Sequence, residues 1–314
     1  MKIIKDHTTI DFIGPARRRV ATIISVVFII VSLGSLAVRG LSFGIDFTGG
    51  VLLEVGYTHD ADLNKIRQIL TDIGYPEAQV QNFGTATDVM MRLPPQPEGT
   101  NSSQIRDKIR DALAADDPEV ELRRVEFVGP QVGDELAEQG SLAMIFALLM
   151  IFAYVMFRFQ WRFAAGAVVA LAHDVIITIG FFSVFALPFD LTVLAAVLAV
   201  VGYSLNDTVV TFDRIRENFI KLRGESPESG INISINEMLG RTIITGLTTL
   251  LVLTALFVLG GESVGPFSLA LIIGIIVGTY SSIYIASATA LVLGVSAQDL
   301  LPPVQDPNEV DELP

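Results

Sequence analysis

Apolar and polar positions along this chain fall into two textures. Six long apolar runs, Val20–Val38, Gln139–Phe157, Phe163–Leu187, Leu191–Phe212, Thr242–Gly261 and Phe267–Val295, are separated by short polar stretches and one long mixed segment. About 20 consecutive apolar residues cross the roughly 30 Å hydrocarbon core of a bilayer as a helix. Four runs contain no charge; the third carries only Asp174, beside His173, and the fourth only Asp207. A soluble core helix rarely needs so long an uncharged run. The pattern predicts a multi-pass α-helical membrane protein with six transmembrane helices.

The mixed segment changes period. Val51–Tyr57 reads as a strand, and Asp60–Ile73 places Leu63, Ile66, Leu70 and Ile73 at helical spacing. Two strand-like stretches, AQVQNFG and DVMMRLP, follow, and PPQPEGT is a loop signal. Asn101 with Gln104 three residues on resembles a capping box for a helix whose apolar face is Ile105, Ile109, Ala112 and Leu113. Val120–Gly129 closes the segment as a strand. The order βαββαβ predicts one α+β ferredoxin-like domain, a fold that names no function. The chain thus divides into an N-terminal arm (1–19), a first span (20–38), the α+β domain (42–137), a five-span block (139–295) and an acidic tail (296–314).

Composition agrees: 51% of residues are hydrophobic and mean hydropathy is +0.56. The net charge of −13 is uneven, with 17 acidic against 8 basic residues in 42–137 and five acidic and no basic ones from Asp299 onward. An acidic balance opposes nucleic-acid binding, which needs Lys and Arg against phosphates; the acidic regions read as solvated faces and a disordered tail. The absence of cysteine excludes disulfides, thiolate catalysis and cysteine metal sites. No P-loop and no metal, nucleotide or organic cofactor pattern is visible, so no enzyme is expected and energy must come from a partner or an ion gradient. The first run is longer than a signal-peptide core and reads as an uncleaved anchor.

Basic residues set the orientation. Arg17–Arg19 precede the first span, Arg158 and Arg162 lie between the second and third, and Arg214, Arg216, Lys221 and Arg223 follow the fourth. The opposite loops hold no basic residue. Both termini are expected in the cytoplasm and the α+β domain outside.

The polar residues within spans are expensive in lipid, from about 2.5 to more than 10 kcal/mol each for a charge. Tyr203, Ser204, Asp207 and Thr211 share one helical face, and so do Arg241, Thr245, Thr248 and Thr249 on the next span. The two stripes can meet, which predicts an Asp207–Arg241 pair ringed by hydroxyls, with the fifth helix beginning near Ile235. Burial and a guanidinium act on a carboxyl group in opposite senses. A small helix shift can then decide whether Asp207 holds a proton: proton relay is one reading, a static register-setting ion pair the other. Asp174 is either a second relay carboxylate or a polar clamp. His173 is either a shuttle or a hydrogen-bonding helix contact; sequential residues point about 100° apart, so the two need not share a face. YSLND lacks the glycine that intramembrane aspartyl proteases place before their aspartate. Gly274 and Gly278, at GxxxG spacing, serve either packing within the bundle or a partner subunit.

FGIDFTGGVLLEV (Phe43–Val55), LAHDV (Leu171–Val175), GYSLNDTVVTFDRIREN (Gly202–Asn218) and RTIITGLTTLL (Arg241–Leu251), in this order in a six-span chain, resemble the SecF family. Members are the smaller membrane subunits of the SecD–SecF protein-export complex in the RND superfamily. The resemblance implies a bacterial inner-membrane protein with its ferredoxin-like domain in the periplasm. Its implied partners are SecD, the SecYEG channel, YajC and a translocating preprotein. It implies H+ as coupling ion with no other cofactor, Asp207 as the essential aspartate and Arg241 as its arginine. GIDFTGG (Gly44–Gly50) falls at the junction of first span and outer domain, where Asp46, Gly49 and Gly50 position or hinge that domain; a turn-stabilising role is the alternative for Asp46. Other readings are an RND-type exporter of lipid or small molecules, and a non-transporting assembly subunit.

Overall fold

The computed structural model describes residues 9–96, 102–222, 224–261 and 264–296. The expected Asn101 cap, Arg223 and residues 297–314 of the acidic tail lie outside these. The first helix, α1 (Pro15–Arg39), has proline in its first turn and ends at Gly40, whose φ of 70° is open to glycine. A two-residue strand β1 (Ser42–Phe43) and a one-turn helix α2 (Ile45–Thr48) lead into the outer domain. That domain comprises β2 (Gly50–Gly56), α3 (Leu63–Asp72), β3 (Gln79–Phe83), β4 (Thr85–Leu93), α4 (Ser102–Asp116) and β5 (Glu121–Val128). The bundle continues with α5 (Pro130–Arg158), α6 (Trp161–Val184), strand β6 (Pro188–Phe189), α7 (Leu191–Lys221), α8 (Pro227–Leu259) and α9 (Gly265–Ser281). A π-helical turn (Ser282–Ala286) and α10 (Ser287–Val292) complete the described chain.

Among the described residues, six helices are long and apolar enough to cross a membrane: α1, α5, α6, α7, α8 and the continuous Gly265–Val292. Several outrun their apolar stretches because caps, not hydropathy, set their ends. Helix α5 starts at Pro130, inside the segment assigned above to the outer domain, since the chain leaves β5 through Gly129 straight into a proline first turn. Helix α7 starts after Asp190, whose carboxylate accepts from the Val193 amide at 2.9 Å, and α8 after Ser226, whose hydroxyl accepts from the Ser229 amide. Helix α8 covers Ile235, so the early start expected for the fifth span is present.

Helix α6 is enclosed by its neighbours, whereas α5 turns Phe146, Met150 and Phe157 outward, as a lipid-facing helix does. Gly274 lies against α7: a β-carbon there would stand 2.2 Å from a Val200 methyl, and one at Gly278 3.1 Å from Ser204 Cβ. The small residues thus bring α9 close enough to α7 for polar side chains to touch.

The outer domain has the order βαββαβ, and its antiparallel sheet runs β3-β4-β2-β5. Period-two alternation sends Val51, Leu53 and Val55 toward α3 and α4, where they meet Leu70, Ile109 and Leu113. Asp62 caps α3, accepting from the amides of Asn64 and Lys65, so the helix starts later than Asp60. The other sheet face, with Glu54, Arg92, Arg124 and Glu126, looks onto the bundle across a cleft of about 290 Å³ also lined by Asp46 and Asp190. At the root, β1 pairs in parallel with β6, a ribbon too short for any sequence period to reveal.

Candidate functional site

Helix α6 carries Asp174 into the centre of the bundle, where it has no exposed surface. Its carboxylate accepts three hydrogen bonds. Ser204 of α7 donates at 2.6 Å and Ser281 of α9 at 2.7 Å, both to Oδ2. His173 Nδ1 lies 2.9 Å from Oδ1. The two sequential side chains therefore meet despite the angle between them. The other ring nitrogen, His173 Nε2, is buried without a partner among the described residues, and the ring stacks on Tyr280 at 6.1 Å between centroids. Tyr280 in turn donates to the Ala21 carbonyl of α1 at 2.7 Å and lies 3.1 Å from Ser25 Oγ. One turn along α7, Thr208 bonds Ser282 at 2.9 Å.

Asp207 faces α8, but the expected Asp207–Arg241 pair is not formed. Thr242 Oγ1 donates to Asp207 Oδ1 at 2.8 Å, while Oδ2 is buried with no partner among the described residues. The cause is the rotation of α8. Thr242 lies on its buried face with Leu239 and Gly246, and Arg241, about 100° away, is exposed. Thr245 and Thr248 share the exposed side with Arg241 and return their hydroxyls to carbonyls of their own helix. The Arg241 charge nonetheless remains within electrostatic reach of Asp207. Tyr203 is half-buried and joins neither hydrogen-bond cluster.

The root of the outer domain meets the same helix. Asp46 Oδ2 accepts from the Leu191 amide, the first residue of α7, at 2.9 Å. Arg92 of β4 donates to the Phe43 carbonyl at 2.8 Å, and the Gly44 amide to the Phe189 carbonyl at 2.8 Å. Gly49 has φ 69°, and a β-carbon there would stand 2.9 Å from Pro130 Cα. A β-carbon at Gly133 of α5 would stand 2.7 Å from the Gly49 amide nitrogen. This root is packed backbone to backbone against α5. In the cleft above it, burial raises the Glu54 pKa against the opposing pull of Arg124, and burial lowers that of Arg92.

Sequence reasoning missed Thr208, Thr242 and Tyr280, and offered Ser281 and Ser282 only as small residues for helix packing. The available signal was hydroxyl-bearing residues on spans four, five and six at the depth of a buried carboxylate, since such a group must find donors.

Residues 108–296 match the model of the SecD/SecF protein export membrane protein family, C-terminal part, and residues 34–61 match the SecD/SecF GG motif. The chain belongs to the SecD/SecF family. The motif match covers Asp46, Gly49 and Gly50, and the C-terminal match covers Asp174, Asp207 and Arg241. Protein translocase subunit SecF of Vibrio alginolyticus is 50% identical over 318 residues, covering 100% of this chain and 99% of the relative. The same subunit of Pseudomonas aeruginosa is 48% identical over 98% of each chain. SecDF of Thermus thermophilus, a translocon-associated membrane protein, superposes with a TM-score of 0.84 at 35% identity, over 93% of this chain and 39% of that one. This SecF-type chain thus spans well under half of the longer SecDF polypeptide. A SecDF structure in the super-membrane-facing form gives 0.66 at 36% identity, over 91% and 39%. Similarity in sequence is the same in the two comparisons and shape is not. With its six spanning helices, the SecD/SecF-family chain is a membrane protein of the bacterial inner membrane.

Proposed function

We propose that this chain is an accessory subunit of Sec protein translocation, driven by the proton-motive force and acting with SecD to help preproteins through SecYEG, with YajC as a further partner. It works as a transporter subunit, not an enzyme, and H+ is its only coupling species. Both termini lie in the cytoplasm and the βαββαβ domain in the periplasm. Asp207 takes up and releases the proton, and Arg241 controls it by approach and withdrawal.

The observation that carries this reading is the incomplete site at Asp207. One carboxylate oxygen is held by Thr242 and the other is buried with no partner within hydrogen-bond distance among the described residues. The arginine that would neutralise it lies on the exposed side of α8 with Thr245 and Thr248. A polar stripe exposed at membrane depth is costly unless another subunit covers it, which supports a site completed by SecD. The Asp46 contact with α7 supports coupling of the root of the outer domain to the helix bearing Asp207. A proton crossing the membrane supplies about 2.3 kcal/mol per 100 mV.

The test is export of a secreted preprotein by the assembled complex carrying Asp207→Asn or Arg241→Met, with and without a proton gradient. Both variants are expected to reduce export in the energised membrane to the level of the gradient-free control. Normal gradient-dependent export by Asp207→Asn leaves only the assembly-subunit reading.

A further inference from the structure

Asp174 and His173 have no role in the account above, yet the bundle gives them the more enclosed site. The Asp174 carboxylate is fully buried, and its one titratable partner among the described residues is His173. Taking an isolated carboxylate ion out of water there is costly. The histidine is placed to offset that cost, because Nδ1 engages Asp174 and Nε2 is buried, unpartnered and free to take a proton. His173 also borders an open, mostly apolar groove of about 730 Å³ between α1 and α6, lined by residues such as Ile23, Val26 and Ile176, with Arg18 and Arg19 among its polar members. Other titratable groups near the pair are Tyr280, stacked on the ring, and Asp207, further along α7.

A second feature joins the pair to Asp207. The π-turn begins directly after Ser281. Ser281 donates to Asp174 while the next residue, Ser282, bonds Thr208. Ser204 and Thr208 lie one turn apart on α7, so hydroxyls of α7, of the end of α9 and of the π-turn form a ladder from Asp174 toward the turn of α7 that bears Asp207. Single π-turns within helices often mark functional positions.

We infer that the Asp174–His173 pair is a second proton-binding site, distinct from Asp207 and communicating with it through this ladder. A hydronium ion reaching the site gives a proton to Nε2 and leaves as water, while the Nδ1 proton stays shared with Asp174. The product is a neutral imidazolium–carboxylate pair. Release returns the Nε2 proton to water and restores the original bonds. The inference deepens the proton-coupled reading and rests on it.

The experiment is nitrogen NMR of 15N-histidine-labelled full-length chain, assembled with its partner subunit in lipid nanodiscs, between about pH 5 and 9. Nε2 of His173 is expected to protonate within this range. Asp174→Asn is expected to abolish that transition, and Asp207→Asn to move its midpoint by about one pH unit through coupling of the two sites. A His173 spectrum unchanged across the range, or a midpoint indifferent to Asp207→Asn, overturns the inference and leaves a fixed clamp. If Asp174→Asn does not fold, the wild-type and Asp207→Asn titrations decide alone. The proton-driven reading itself stands or falls on the separate export assay, so normal export by Asp207→Asn beside a titrating His173 refutes that reading and not the proton site.

Discussion

Thr242, not Arg241, holds Asp207: the hydroxyl and the carboxylate are 2.8 Å apart, and the guanidinium one residue earlier points off the buried face of α8. A hydrogen bond to a charged group contributes about 1.5–3 kcal/mol. Thr242→Val removes it at nearly constant volume and leaves Oδ1 of Asp207 without the Thr242 donor. Gradient-driven export is expected to fall about tenfold or more in Thr242→Val and to recover in Thr242→Ser, which keeps the hydroxyl. Equal export by the two variants would show that the hydroxyl is irrelevant and only the shape of the side chain counts.

The rotation of α8 can be read by chemistry, because the chain has no cysteine of its own. Single cysteines at Arg241, Thr245 and Thr248 are expected to crosslink to cysteines in the partner subunit. A cysteine at Thr242, only 6% exposed, is expected not to. Thiol crosslinking in native membranes, read as a gel shift, checks this. Crosslinking from position 242 alone would mean that α8 is turned by about 100° relative to the arrangement described.

Much of the architecture was legible because periodicity survives without tertiary context. The six apolar runs and the βαββαβ order follow from periods of 3.6 and 2 and from turn residues. The site was legible only as far as residue types go. Asp174, Asp207 and Arg241 stand out as charges in or at apolar runs, but the partner of each depends on helix rotation. Sequence spacing gives that rotation for one helix alone, not relative to its neighbour. A shift of one residue along α8 exchanges Arg241 for Thr242. The meeting of His173 with Asp174 was similarly hidden, since it rests on side-chain rotamers and not on helical phase. The Pro188–Phe189 ribbon is too short to carry any period, and the Asp46 contact with Leu191 joins residues 145 positions apart.

That Asp46 contact predicts a mechanical effect. Asp190 caps α7 from within its own segment, and Asp46 adds a second carboxylate from the root of the outer domain. Losing a cap of this kind costs about 0.5–2 kcal/mol. Asp46→Ala is expected to speed amide hydrogen exchange at Leu191 up to about tenfold and to lower export while leaving the complex assembled. Asp46→Asn keeps an acceptor oxygen and is expected to lie near wild type. Unchanged exchange at Leu191 in Asp46→Ala would restrict Asp46 to stabilising its own turn.

The outer domain carries a basic-range titration that can be followed apart from the membrane chemistry. Burial raises the Tyr57 pKa to about 12, with the negative charges of Asp117 and Asp116 acting in the same direction. An acid whose folded pKa exceeds its unfolded value favours folding most while it is protonated. The stabilising contribution is therefore complete below about pH 10, the ordinary phenol value, and is lost as pH rises toward about 12. The chain has six tyrosines, so the signal is obtained by difference: tyrosinate absorbance of wild type minus that of Tyr57→Phe. The difference curve is expected to have its midpoint near 12 in the folded chain and near 10 in denaturant. Tyr57→Phe is also expected to flatten the loss of thermal stability between those pH values. A difference curve centred near 10 in the folded chain would mean that the Tyr57 hydroxyl is solvated and that the strand end holding it is open to water.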